Sequence, residues 1–130
     1  MEKRKLKGIL IDTEAHTWAV VEIDDRLESF YEHLHCDIIT TIYRRFGDLT
    51  VCIIADDEGL FKEHLTPSVV DKMYQPVIFG SIFVILTETD AEGNMIGLSD
   101  DDCEYMKKFI ESFNVSGTDW YFLKGCERYL

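Results

Sequence analysis

The chain has 130 residues, 46% apolar and 12% aromatic, enough for one domain with a buried core and too much for a disordered chain. Its 13 Lys and Arg face 25 Asp and Glu, a net charge of −12, so the surface repels DNA, RNA and anionic membranes. Charge of this kind constrains partners and solubility rather than fold. Four cations, Lys3, Arg4, Lys5 and Lys7, gather in a basic arm or first strand at residues 1–7, which leaves the body from Gly8 onward more acidic still. No run approaches the ~18 apolar residues of a membrane span. The start, Met-Glu-Lys-Arg-Lys, lacks the apolar stretch of a signal peptide. A single cytoplasmic domain over residues 1–130 is therefore expected, with no membrane association and no direct nucleic-acid binding. Cys36, Cys52, Cys103 and Cys126 are scattered without a Cys-x-x-Cys, which points to buried or idle thiols rather than disulfide staples.

Leu6 to Asp12 and Trp18 to Ile23 read as two strands joined by a hairpin loop. The period then changes: Leu27, Phe30, Tyr31 and Leu34 fall on one helical face. Asp25 with Glu28 three residues on predicts a capping box, and the helix should run from near Asp25 to near Cys36. Ile38 to Phe46 and Leu49 to Ala55 form the clearest hairpin, with Gly47-Asp48 as its turn. The polar stretch from Asp56 to Gln75 is expected to hold a short helix at Ser68 to Tyr74, with Pro67 at its start. Val77 to Thr87 is nearly continuous in apolar residues and reads as one long central strand. After a turn at Thr89 to Asn94, Met95 to Leu98 reads as a short returning strand. Ser99 and Asp102 predict a second capping box, opening a helix whose inner stripe is Cys103, Met106, Ile110 and Phe113. Residues 114–130 carry Trp120, Tyr121, Phe122, Leu123 and Tyr129, too apolar to float free, and form an extension packing on the body or on a partner copy. The order implies an α+β fold: a mostly antiparallel sheet of about six strands with two main helices packed on one side.

Several clusters invite a chemical reading, and most have a plainer one. Asp90-Ala-Glu-Gly-Asn after Glu88 is close to a calcium loop, but Ser99 stands where a bidentate Glu is required; an acidic hairpin loop is the expectation. Asp100 to Asp102 suit the start of a helix better than a cation, since consecutive helical residues point to different sides. His33 and His35 are two apart on a predicted helix and share no face; with only His16 and His64 elsewhere, no metal site and no cofactor is expected. Asp12, Glu14 and His16 share one hairpin loop and have groups suited to acid–base work, with nothing in sequence to align them. Trp120 to Phe122 offers aromatic faces without the surrounding cations of a nucleic-acid site. No nucleophile elbow, phosphate-cradling Gly-rich loop or His-Glu-x-x-His occurs, so no catalytic residue is assigned.

Taken together, Val21-Glu-Ile-Asp-Asp-Arg-Leu-Glu, the strands around Gly47, Ile54-Ala-Asp-Asp-Glu-Gly-Leu, Val77-Ile-Phe-Gly-Ser-Ile-Phe-Val-Ile, Glu92-Gly-Asn and Leu98-Ser-Asp-Asp resemble an uncharacterised family. It is a domain-of-unknown-function family of small proteins from phages, conjugative elements and gut Firmicutes, and the resemblance spans roughly residues 18 to 112. It implies a cytosolic accessory protein and brings no catalytic residues. The expected function is binding: modulation or inhibition of a host defence protein through the acidic surface. The alternatives are a sponge for a small nucleotide-type signal in an oligomeric pocket, or a small enzyme acting on such a ligand. The candidate binding residues are Asp56, Asp57 and Glu58 at a strand end, the paired cations Arg44 and Arg45, and Trp120. Possible partners are thus a host protein, a nucleotide-type ligand, or further copies of the chain.

Overall fold

The computed structural model describes residues 4–59 and 66–128; Lys3, His64 and Tyr129 lie outside them. Nine strands and two short helices follow in the order β1 (Lys5–Asp12), β2 (Thr17–Asp24), α1 (Leu27–Leu34), β3 (Ile39–Phe46), β4 (Leu49–Asp56), β5 (Pro67–Asp71), β6 (Pro76–Phe79), β7 (Ile82–Leu86), α2 (Asp100–Lys107), β8 (Ile110–Val115) and β9 (Thr118–Arg128). They form one mixed sheet in the order β2-β1-β7-β4-β3-β9-β5-β6, with β8 also on β9. The expected six-strand antiparallel sheet under two main helices is therefore corrected. The described residues are mostly sheet, their two helices are eight residues each, and β5 pairs with β9 in parallel.

Strand alternation gives the sheet a core on each face. In β4, Val51, Ile53 and Ala55 point one way while Cys52 and Ile54 point the other, and β7 splits Ile82 and Val84 from Phe83 and Ile85 in the same manner. The first set joins Val69 of β5, Ile78 of β6, Leu123 of β9 and Met106 of α2 in one buried cluster, so the two ends of the sheet curl toward each other. The second set meets Phe30 and Leu34 of α1. Both faces of the central strands are covered, which is why they read as continuous apolar runs.

The first two strands, the helix after them and the Gly47 hairpin lie where expected. Residue 47 has φ +62, a conformation that suits glycine. The basic arm is part of the sheet: Lys5 and Lys7 belong to β1, Arg4 pairs with Asp25 and Asp90, and Lys7 pairs with Asp100.

Other expectations fail for identifiable reasons. Residues 68–74 form no helix, because Val69 and Val70 are buried β-branched residues that pair with β6 and β9. Pro67 opens β5, a strand position where a missing N–H is tolerated. The long strand from Val77 breaks at Gly80, φ +88, into β6 and β7. Met95 to Leu98 is not a strand. It makes one bridge from Met95 to Thr89, and the Leu98 amide donates to the Lys7 carbonyl at 2.7 Å. Around α1 the capping box at Asp25 and Glu28 is absent: the N-cap is Arg26, with no side-chain cap. At α2 the box forms in full, each of Ser99 and Asp102 accepting the other's amide proton at 3.1 Å. That helix ends at Lys107, and Ile110 and Phe113 belong to β8. The C-terminal extension is β9, joined to β8 by Ser116-Gly117 with φ +51 and +88.

β9 ties the fold together. It pairs with β8 over Thr118 to Leu123, with β5 over Leu123 to Cys126, and with β3 at Glu127 and Arg128. The register slips beside Gly125, φ +98, where a bulge bends the strand from one neighbour to the next.

Candidate functional site

The β1–β2 turn, Thr13 to His16, stands over a cleft of about 610 Å³. Asp12 builds that turn: its Oδ1 accepts the amides of Glu14 at 3.0 Å and Ala15 at 2.9 Å, an Asx-type closure. The same carboxylate takes Nε2 of His35 at 3.0 Å on Oδ2, while Nδ1 of that ring meets Glu14 at 3.0 Å. His35 is the left-handed C-cap of α1, φ +55, so the end of the helix aims this ring at the turn. From a third side the Thr13 amide donates to Ser81 Oγ at 3.0 Å. Burial works to raise the Asp12 pKa. The Ala15 amide, the His35 ring and the Glu14 amide outweigh it and hold the carboxyl below its ordinary range.

So braced, the turn places His16 at φ +59, with its ring stacked on Trp120 at 5.1 Å between centroids and 30° between planes. Trp120 leans in turn on Phe113 at 5.7 Å, and Phe113 on Phe122 at 5.8 Å. Both His16 and Trp120 line the cleft, and His16 Nδ1 and Trp120 Nε1 are buried without a hydrogen-bond partner. A buried polar atom without a partner costs about 1–3 kcal/mol, and most such atoms in folded proteins find one. Both belong to the stacked pair, and neither has surface open to the cleft.

The rest of the described lining is polar and acidic. Thr13, Thr66 and Ser81 supply hydroxyls, Glu14 and Asp56 carboxylates, Leu34 an apolar patch; no Lys or Arg is among the described lining residues. Asp56 is 7% exposed, and its Oδ1 accepts the Glu58 amide at 2.8 Å.

Of the residues singled out from sequence, the fold brings Asp56 and Trp120 to this cleft. Asp57 and Glu58 follow Asp56 on an exposed turn and do not line it. Arg44 and Arg45 sit at the opposite end of the β3–β4 hairpin: Asp56 pairs with Ile39, six residues before Arg45, a span of roughly 20 Å. Arg45 holds Glu127 at 2.7 Å and Lys72 holds the other oxygen of Glu127 at 2.5 Å. The Lys72 and Arg45 hydrogen bonds lower that carboxyl to about 2. Arg44 donates to the Tyr43 carbonyl at 2.8 Å. The second cation pair is also engaged, Lys107 with Glu104 at 2.6 Å and Lys108 over the Tyr105 ring at 5.2 Å.

Among the described residues no three His, Cys, Asp or Glu side chains are grouped to hold a metal ion. Asp90 directs Oδ1 to the amides of Glu92 and Asn94, both at 2.9 Å, and closes its own loop. The four cysteines form no disulfide, three of them are buried, and burial raises Cys52 to about 11. His16 and Glu14 are visible in sequence only as members of a hairpin loop, and Thr13, Thr66 and Ser81 carry no mark at all. The Asx signal at Asp12 is local and legible, but a stack between residues 16 and 120 is not.

No curated protein and no solved structure matches the chain. Residues 6–114, from β1 into β8, match the family described as Domain of unknown function (DUF3846), and the chain belongs to that family.

Proposed function

We propose that this protein acts by binding rather than by catalysis, and that the cleft under the β1–β2 turn holds a small ligand. The observation that carries this reading is the cleft itself, about 610 Å³, with the stacked rings of His16 and Trp120 in its lining. The brace behind that wall favours holding over reacting. Ser81 Oγ receives the Thr13 amide, and the nearby Asp12 carboxylate is engaged by two amides and His35, so these two groups are committed to the brace rather than poised as nucleophile and base. In this reading the protein is a cytoplasmic accessory factor of a phage or mobile element that withholds a small molecule from its host. The charge of −12 favours a second reading, docking of an acidic surface on a basic face of a host defence protein.

The test is native mass spectrometry of the full chain freshly purified from producing cells, beside Trp120→Ala checked for folding by circular dichroism. The cleft reading expects a small-molecule adduct on the wild type that the variant lacks. A bare wild type that gains no mass from a small-molecule extract of those cells overturns it. Pull-down from host lysate then tests the protein-docking reading.

A further inference from the structure

Among the described residues, three strands have a partner on one side only: β2, β6 and β8. An open edge is a row of unpaired N–H and C=O groups on which another strand can form, and charge, proline or shortness usually defends it. β2 carries Glu22 and Asp24, and β6 is four residues long and opens on Pro76. The outer part of β8 has no such defence: Ser112, Phe113, Asn114 and Val115 are uncharged and exposed. The neighbouring carboxylates are already engaged. Glu111 accepts the Tyr74 hydroxyl at 3.1 Å and meets Lys124 at 4.0 Å, and Asp119 accepts Nδ2 of Asn114 at 3.0 Å. We infer that two copies of the chain join here, β8 against β8 in antiparallel pairing about a twofold axis.

The register follows from the hydrogen bonds of the hairpin. The Lys124 amide donates to the Phe109 carbonyl at 2.8 Å, and antiparallel pairs alternate between bonded and non-bonded positions. Glu111, Phe113 and Val115 are therefore bonded to β9, while Ser112 and Asn114 turn N–H and C=O away from it. With the axis at Phe113, Ser112 of each copy bonds Asn114 of the other. Phe113 then faces itself in a non-bonded pair, the kind that brings side chains closest, and aromatic pairs across strands stabilise a sheet. Each Phe113 is 42% exposed yet already braced by Trp120 at 5.7 Å and Phe122 at 5.8 Å. Two arguments favour a second copy over another protein. An antiparallel edge turned by a half-turn presents the matching donors and acceptors to itself, and the contact closes at two copies. Charge gives the second: at −12 two copies repel over most of their surfaces, and Ser112 to Val115 lets them meet without adding like charge. A basic partner is drawn instead to the carboxylates elsewhere.

The experiment is sedimentation velocity of the full chain from about 1 µM to about 1 mM, where a concentration-dependent dimer is expected. Ser112→Pro removes one outward N–H from each copy, and proline is tolerated on an open edge. Its circular dichroism spectrum should match the wild type, and its dimer should dissociate at least tenfold more readily. Phe113→Cys treated with diamide should give a covalent dimer joined at residue 113 of both copies, identified by peptide mapping. A wild type that stays monomeric over the whole range overturns the inference. So does a dimer that Ser112→Pro leaves intact with its spectrum unchanged, because its contact then lies elsewhere. Should Ser112→Pro fail to fold, the cross-link decides: its formation at residue 113 supports the pairing, and its absence in a dimeric protein overturns it.

Discussion

Gly8 is the position where one methyl group tests the packing of the central sheet. It lies in β1 opposite Val21 and beside β7. A β-carbon there would run into the carbonyl oxygen of Val84 and approach two ring carbons of Phe83 at 2.8 and 2.9 Å. Neither neighbour has room to move. Phe83 is fully buried, 6.4 Å from the Phe30 ring, and the Val84 carbonyl belongs to the strand that pairs with Ile9. Overpacking a core typically costs 1–3 kcal/mol. With backbone as well as ring in the way, Gly8→Ala should sit at the top of that range, about 3 kcal/mol. Unfolding entropy of ~2.1 cal/mol/K per residue over 130 residues gives about 0.27 kcal/mol/K, so calorimetry should show Tm lower by about 11 °C. Phe83→Leu in the Gly8→Ala background relieves the ring contact and not the carbonyl contact, so the double-mutant cycle should return a favourable coupling of about 1 kcal/mol. A Gly8→Ala protein melting within about 3 °C of the wild type would refute the argument, because β1 and β7 would then separate at little cost.

Asp12→Ala removes the acceptor of two amides and the His35 partner, and should cost about 3 kcal/mol at neutral pH by urea unfolding, at ~1 kcal/mol per hydrogen bond. Because the folded Asp12 carboxyl titrates below its ordinary value of 3.8, its contribution is full above that pH and fades as pH falls through the lower folded value. The gap between wild type and variant should therefore narrow as pH falls below 3.8, and a gap independent of pH would contradict the charge assignment. Glu127 should titrate at about 2 by carboxyl NMR and move toward 4.5 in Lys72→Ala, with molar salt acting in the same direction; an ordinary titration in the wild type would show that the bridge is not populated in solution. A thiol reagent near neutral pH should label partly buried Cys36 first. Cys52, Cys103 and Cys126, buried with raised pKa values, should react only on unfolding; a second fast thiol would contradict their burial.

What was legible in the sequence was local. Alternation in β1 to β4, the 3.6-residue face of α1 and the Ser99–Asp102 box all depend on neighbours within a few residues, and all appear in the fold. The errors arise where a distant partner overrides a local pattern. Cys103, Met106, Ile110 and Phe113 fit a helical stripe, yet Ile110 to Val115 pairs with Thr118 to Leu123 across Ser116-Gly117, a hairpin signal that the stripe hides. Val69 and Val70 take their state from Leu123 and Lys124, more than fifty residues later. The cleft behaves likewise. Asp56 stands out as an acidic strand end and Trp120 as an aromatic in the tail, but what joins them is the curl of the sheet. His16 acquires meaning only when Trp120 arrives beneath it.

The three-way pairing of β9 has a consequence for how the chain is made. Its partners β3, β5 and β8 all precede it in sequence, so on the ribosome each emerges with a bare edge that stays open until the last strand appears. Bare edges are templates for pairing with other chains, and incompletely folded chains are most prone to aggregation while they are exposed. Yield in the cell should then depend on how quickly Thr118 to Arg128 is translated after Val115, and slow codons within that short interval should send more of the protein to inclusion bodies without altering the stability of the molecules that finish folding.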